Sequence, residues 1–255
     1  MRHVLVGVVT AISFALAVGA VGIAPAAAVA RGAVAAEGQF PFAVQLRLDD
    51  ITRSDGTVYD SACSGVLISR TWIMTAGHCF HDGDRNRVGE EPRYAVTARL
   101  GTSNTLDPAA GETRTVVWVE QSPKNDIAIA RLDAAVDSVA PVPLATTAPK
   151  REEILSFAGW GATASGAKWS DQLYWGQAKI SRVQTVTALV RGYWPYSDTS
   201  ACPYDSGAPY WRGSTSPVLV SVEKGGPSCP HRSDETTSRV DVVAGWVESK
   251  VADLP

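Results

Sequence analysis

A hydroxyl, an imidazole and a carboxylate that could act together are spread over three distant segments of the chain. Ser206 lies in Cys202-Pro203-Tyr204-Asp205-Ser206-Gly207-Ala208-Pro209, a turn-rich stretch between two strand-like runs. His78 follows the apolar part of Trp72-Ile73-Met74-Thr75-Ala76-Gly77-His78-Cys79, and Asp126 opens Asn125-Asp126-Ile127-Ala128-Ile129. A serine hydroxyl is a poor nucleophile until a base removes its proton, and an imidazole is a better base when a carboxylate fixes its tautomer and stabilises its cation. Such a row transfers acyl groups through a covalent acyl-enzyme and requires no cofactor. By itself Asp205-Ser206-Gly207 also reads as an ordinary surface turn. The three segments together point to catalysis.

The elements that must position these groups read as strands. Phe42–Leu48, Tyr94–Leu100, Val116–Val119 and Val218–Val222 are short apolar or alternating runs bounded by Gly, Pro, Asn and Asp. Their spacing predicts an all-β sandwich or barrel rather than βαβ units. Ala140–Pro149 is Pro-rich and marks a crossing between two halves. Near the end, Val243, Trp246, Val247 and Val251 fall on one helical face, which we expect to dock on the second half.

Composition bounds the rest. The 255 residues are 45% hydrophobic and 19% charged, enough for a sizeable core, and a net charge of -3 with no basic run argues against a nucleic-acid partner. Residues 1–28 differ: Arg2, an apolar run from Val4 to Ala24, then Pro25 and Ala26-Ala27-Ala28 read as a secretory signal peptide cut after Ala28. The run is also long enough for an uncleaved membrane anchor. Removal of the leader predicts a secreted, extracellular protein, free of the membrane, in an oxidising compartment where its four cysteines pair; sequence leaves three connectivities open. His78-Cys79-Phe80-His81 lacks a second cluster at a zinc spacing. Asp82, Asp84 and Asn86 alternate as calcium ligands do, but without the closing glycine and glutamate. No metal site is expected.

The blocks Thr-Ala-Gly-His-Cys, Asn-Asp-Ile-Ala and Asp-Ser-Gly, in the order His, Asp, Ser, resemble the chymotrypsin/trypsin family of serine proteases, of a secreted bacterial type, from about Val29 onward. The resemblance implies two six-stranded antiparallel β-barrels, about 29–140 and about 150–255, with the active site in the cleft between them and a C-terminal helix. It implies His78, Asp126 and Ser206 as the catalytic triad, and the N–H groups of Tyr204 and Ser206 as the oxyanion hole. It pairs Cys63 with Cys79 and Cys202 with Cys229. It also implies that cleavage exposes Val29, whose α-ammonium pairs with Asp205 inside the protein.

Departures from the family pattern carry information too. Two glycines of the Gly-Asp-Ser-Gly-Gly-Pro block are Tyr204 and Ala208 here, and glycine tolerates backbone angles that tyrosine resists. The substrate-binding positions implied by the resemblance are Ser200, Ser221 and Glu223. Ser200 stands where trypsins carry aspartate. Ser221 is expected to support Asp126. Glu223 either narrows the pocket, attracts a basic side chain or is a solvated edge charge. Asp234 and Glu235 fall where the family has Pro-Gly at the back of the pocket, so the substrate side chain stays open. The reading is a secreted, monomeric serine endopeptidase acting on polypeptides, with proteinaceous inhibitors as further partners. Its rivals are a non-catalytic binding protein and an esterase or narrow peptidase on the same scaffold.

Overall fold

Alternation of side chains along extended segments closes two sheets in the computed structural model of the chain, which describes Met1, His3 and residues 29–163 and 165–255. Apart from Met1 and His3, the expected leader lies outside the described residues. The chain runs through β1 (Ala33–Val34), β2 (Ala43–Thr52), β3 (Val58–Ser69), β4 (Trp72–Thr75), β5 (Ala95–Leu100), β6 (Glu112–Gln121) and β7 (Ala128–Leu132). It continues through β8 (Ile154–Gly159), β9 (Tyr174–Val183), β10 (Thr187–Trp194), β11 (Pro209–Arg212), β12 (Val218–Gly225), β13 (Glu235–Arg239) and α1 (Ala244–Lys250). Strands β2-β3-β4-β7-β6-β5 form one closed barrel, and β8-β9-β10-β13-β12-β11 form the other through the β8–β9 pairing. The fold is the expected one.

Each barrel is filled by the inward half of its strands. Val44, Leu46, Leu48, Val96, Ala98 and Leu100 are buried on β2 and β5, while Leu155, Phe157, Ile180, Tyr210 and Val220 fill the second barrel. Between the barrels, Trp211 meets Phe40 at 4.9 Å and Phe42 at 5.3 Å, both edge-on. Edge-on aromatic pairs add about 0.5–1.5 kcal/mol beyond their buried area, so this wedge fixes one barrel against the other.

Two placements differ from the sequence reading. Residues 29–34 do not start the first barrel: β1 pairs with β9, Ala33 opposite Trp175, and Val29 is buried in the second barrel's core. A two-residue strand has no periodicity to read, and the free edge it joins is formed much later in the chain. The C-terminal helix also docks differently. Val243, Val247 and Val251 join the core that holds β4, β6 and β7, and Lys250 reaches Glu120 of β6 at 3.1 Å, so the helix closes over the first barrel. An apolar stripe reveals that a face is buried, not against what.

Candidate active site

Local sequence explains why each reactive group stands where it does. β4 ends at Thr75, and the chain turns through a short 3-10 segment, Gly77–Cys79, that lifts His78 off the barrel rim. Gln121 of β6 ties that turn down, its Nε2 donating to the Gly77 and Val88 carbonyls at 2.9 and 2.7 Å. Asp126 immediately precedes β7, and its neighbour Asn125 donates to the Arg239 carbonyl of β13 at 2.8 Å. Ser206 lies in the loop before β11, stitched to the first barrel by the Ser64 N–H donating to its carbonyl at 2.9 Å. Gly207, at φ 84°, passes so close that a Cβ would lie 2.0 Å from Thr75 Oγ1. Only glycine permits that approach together with that dihedral.

These contacts bring the three groups into one row. Asp126 accepts the His78 backbone N–H at 2.8 Å through Oδ1, and its Oδ2 stands 2.7 Å from His78 Nδ1. His78 Nε2 stands 2.8 Å from Ser206 Oγ. Because a carboxylate only accepts, Nδ1 carries the imidazole proton and Nε2 is free to take the serine proton. Burial alone would raise the Asp126 carboxyl. The hydrogen bond and charge of His78, its backbone N–H and the Arg87 guanidinium at 3.9 Å outweigh that and hold it below the usual range. Ser221, expected to support Asp126, does not bond to it: its buried hydroxyl has no partner among the described residues. Arg87 and Gln121 were not singled out from sequence, because an arginine and a glutamine in a loop and a strand carry no signature.

Tyr204 adopts φ 75°, the left-handed conformation of the glycine it replaces. Its carbonyl accepts the Ser64 hydroxyl at 3.3 Å, and its ring meets Trp169 edge-on at 5.4 Å, with the Arg47 guanidinium 4.0 Å over the other ring. Such a dihedral costs about 1–3 kcal/mol, which the ring contacts offset. Among the described residues neither the Tyr204 nor the Ser206 N–H has an acceptor.

Asp205 is completely buried and accepts the Gly161 and Cys202 N–H groups, each at 2.8 Å. Burial, opposed by those two N–H groups and reinforced by the Glu235 charge, pushes its carboxyl well above the usual range. A Cβ on Gly161 would lie 2.5 Å from that carboxyl carbon. No ion pair joins Asp205 to Val29 among the described residues. The disulfides are Cys63–Cys79, which fastens the histidine turn to β3, and Cys202–Cys229, which fastens the serine loop to the β12–β13 connection.

Beside Ser206 opens a cleft of about 290 Å³ whose walls include Ala201, Cys202, Glu223, Gly226 and Pro227. Ser200 is not in that wall: it is 2% exposed, its backbone bridges Ala30, and its hydroxyl takes the His231 N–H at 3.2 Å. Glu223 is not a solvated edge charge, being 1% exposed with Oε2 2.9 Å from the Tyr210 hydroxyl. Asp234 faces outward to Arg191 and Ser181, whereas Glu235 turns inward to Tyr210. A larger cavity of about 420 Å³, with Arg151, Lys179 and Arg191 in its wall, lies on the outer face of β9 and β10 and contains none of the three reactive groups. The Asp82 carboxylate is taken up by its own turn, accepting the Asp84 and Asn86 N–H groups at 3.0 and 2.8 Å.

Comparison with known proteins agrees with this architecture. A family model described as Trypsin matches residues 29–247. The alkaline A trypsin of Manduca sexta is 26% identical over 237 residues, covering 83% of this chain and 86% of that protein. The serine protease SP24D of Anopheles gambiae is 27% identical over 190 residues, covering 70% of this chain and 65% of that protein. The kallikrein 1-related peptidase b16 of Mus musculus is 31% identical over 121 residues, or 42% of this chain and 44% of that protein. These relatives are insect and mouse proteins and give no support to the bacterial type. Among the described residues no helix is long and apolar enough to cross a membrane.

Proposed function

The chain belongs to the trypsin family and is a serine endopeptidase, and from that premise we propose that it is secreted and cuts polypeptides with His78, Asp126 and Ser206. One observation carries this reading: the unbroken row in which Asp126 lies 2.7 Å from one imidazole nitrogen and Ser206 2.8 Å from the other. His78 takes the Ser206 proton as Oγ attacks the scissile carbonyl, and Asp126 stabilises the imidazolium. The Tyr204 and Ser206 N–H groups receive the oxyanion, and His78 returns the proton to the leaving amine. Water then hydrolyses the acyl-enzyme by the same route. All three groups come from one chain, so a monomer suffices.

The leader 1–28 would direct export, and cleavage after Ala28 would expose the Val29 α-ammonium to Asp205. Two facts support this. Val29 is already packed inside the second barrel, and Asp205 is a buried acid whose described partners are backbone N–H groups alone. An uncompensated buried carboxylate costs several kcal/mol, which an ion pair with the amine offsets.

A fluorophosphonate tests the nucleophile. We expect it to label the protein beginning at Val29 and to lose its target in Ser206→Ala, whose amide turnover should fall by about 10⁶. Unlabelled, correctly processed protein would refute the assignment. Matched ester and amide substrates then separate an endopeptidase from an esterase, since only the former turns over the amide.

A further inference from the structure

Four cationic side chains crowd a face of the second barrel that the proton relay does not use. Lys179 and Arg182 of β9, Arg191 of β10 and Arg151 of the turn before β8 all line the outer cavity of about 420 Å³. The strand register sets Lys179 directly opposite Arg191. Like charges so opposed repel across a strand pair, and the sheet is less stable for holding them there. Two carboxylates share the cavity wall, Glu152 and Asp234. Arg191 Nε donates to Asp234, while Glu152 lies 3.6 Å from Lys179 Nζ and 3.7 Å from Arg151 Nε. The Arg182 side chain joins no ion pair among the described residues. Burial alone would raise the Asp234 carboxyl, but the hydrogen bonds of Arg191 and Ser181 and the charges of Arg191 and Arg182 hold it below the usual range. With both acids charged, four cations still outnumber them, in a chain whose own net charge is -3.

The backbone maintains this crowding. Glu152 takes φ 67°, a left-handed conformation that residues with a Cβ seldom adopt. Its N–H donates to the Ile180 carbonyl at 2.8 Å and the Ile180 N–H to the Glu153 carbonyl at 2.9 Å, which pins the Arg151-Glu152 turn to β9. Tyr193 completes the wall, its ring centre 5.1 Å from Lys179 Nζ. β9 pairs with β8 on one side and β10 on the other, so the cavity lies on a sheet face and not at an edge. An extended peptide finds no free row of backbone groups to pair with here. Side chains alone must recognise the occupant, and its negative charge must be concentrated. A carboxylate offers two oxygens and one charge, whereas a phosphate offers three acceptor oxygens and a charge between about -1.5 and -2. Guanidinium forks match phosphate oxygens in pairs, and an ammonium adds a point charge. The volume falls within the roughly 300–1,000 Å³ of small-molecule sites.

We propose that this cavity is a second binding site, separate from the Ser206 cleft, for a small soluble ligand that carries two or more phosphate groups. The phosphates take Arg182, Arg191, Lys179 and Arg151, and draw the last three away from the acids they now share. Asp234 and Glu152 are then competitors of the ligand, so removing either carboxylate strengthens binding and removing either arginine of the β9–β10 pair weakens it. The site is independent of the reaction at Ser206.

Calorimetric titration of the purified protein with sodium tripolyphosphate, at an ionic strength of about 50 mM, tests this. We expect a Kd of about 1 mM or tighter, and citrate, compact but free of phosphate, should bind at least about tenfold more weakly. Arg191→Gln and Arg182→Gln should each weaken tripolyphosphate at least about tenfold, and Asp234→Asn should tighten it about threefold or more. Glu152→Gln, on the exposed turn, should tighten it likewise and serves as the second variant should Asp234→Asn not fold. Arg131→Gln, an exposed arginine of the first barrel, should leave the affinity unchanged. A Kd weaker than about 1 mM, citrate binding as tight as tripolyphosphate, or equal losses in Arg131→Gln and Arg191→Gln would overturn the proposal. A heparin oligosaccharide that binds where tripolyphosphate does not would overturn it too, in favour of a sulfated glycan on this face.

Discussion

Tyr204 holds a dihedral that a side chain with a Cβ seldom takes, and in the mechanism we propose that single residue aims the oxyanion donors. Its φ of 75° is the glycine conformation, braced by Trp169 and by the Ser64 hydroxyl on its carbonyl. Tyr204→Gly should therefore change kcat by less than about threefold. Tyr204→Val, whose branched Cβ resists positive φ, should lower kcat by about 10², the usual cost of losing one such donor. Steady-state kinetics on one amide substrate checks both, and a Val variant with unaltered kcat would remove Tyr204 from the oxyanion hole. The sequence shows that a glycine is replaced here but not what braces the replacement. The same limit applies at Glu223: its residue type is legible, yet its partners Tyr210 and Glu235 lie on two other strands and meet it only through the β12 register.

At the scale of elements, the strands were legible and their partners less so. Alternation marks β5, the start of β6 and the later half of β2, where one face is buried, whereas β12 is legible as a continuous apolar run because both of its faces are buried. It is silent on β1, which is too short to alternate, and on which barrel the terminal helix covers. The chemistry-bearing blocks were legible because each couples a reactive residue type to a strand end or a tight turn, the places where a rigid sheet can present it. Arg87 and Gln121 brace those turns from other elements and escape detection for that reason. The Cys202–Cys229 bridge is the covalent tie between the serine loop and the connection leading to β13. Replacing both cysteines with alanine should lower stability by about 3 kcal/mol. Urea midpoints measure this, and a change below about 1 kcal/mol would mean that hydrogen bonds such as Cys202 N–H to Asp205 already hold the loop.

Across the whole molecule, buried acids set the response to pH. A carboxyl whose folded pKa is raised binds its proton more tightly in the native state, so stability falls as pH climbs from the unfolded value to the folded one. Asp205 and Glu223 both act this way. Asp126, held low, acts oppositely: its contribution is present above the ordinary carboxylate value and is lost as pH falls through the folded one. An α-ammonium on Val29 would offset the Asp205 penalty while the amine stays charged, below its ordinary pKa near 8. Between about pH 5 and pH 7, a chain carrying one extra residue before Val29 should thus lose about 3 kcal/mol more stability than the chain that begins there. Chemical denaturation across that range tests it, and superimposable profiles would exclude the pair. The β1–β9 pairing carries one more consequence, for synthesis. A ribosome completes the entire first barrel before it makes β9, so the segment around residue 29 has no sheet to join until then. The bond after Ala28 would remain open to a processing enzyme throughout that interval, and would be withdrawn only when the second barrel closes around Val29.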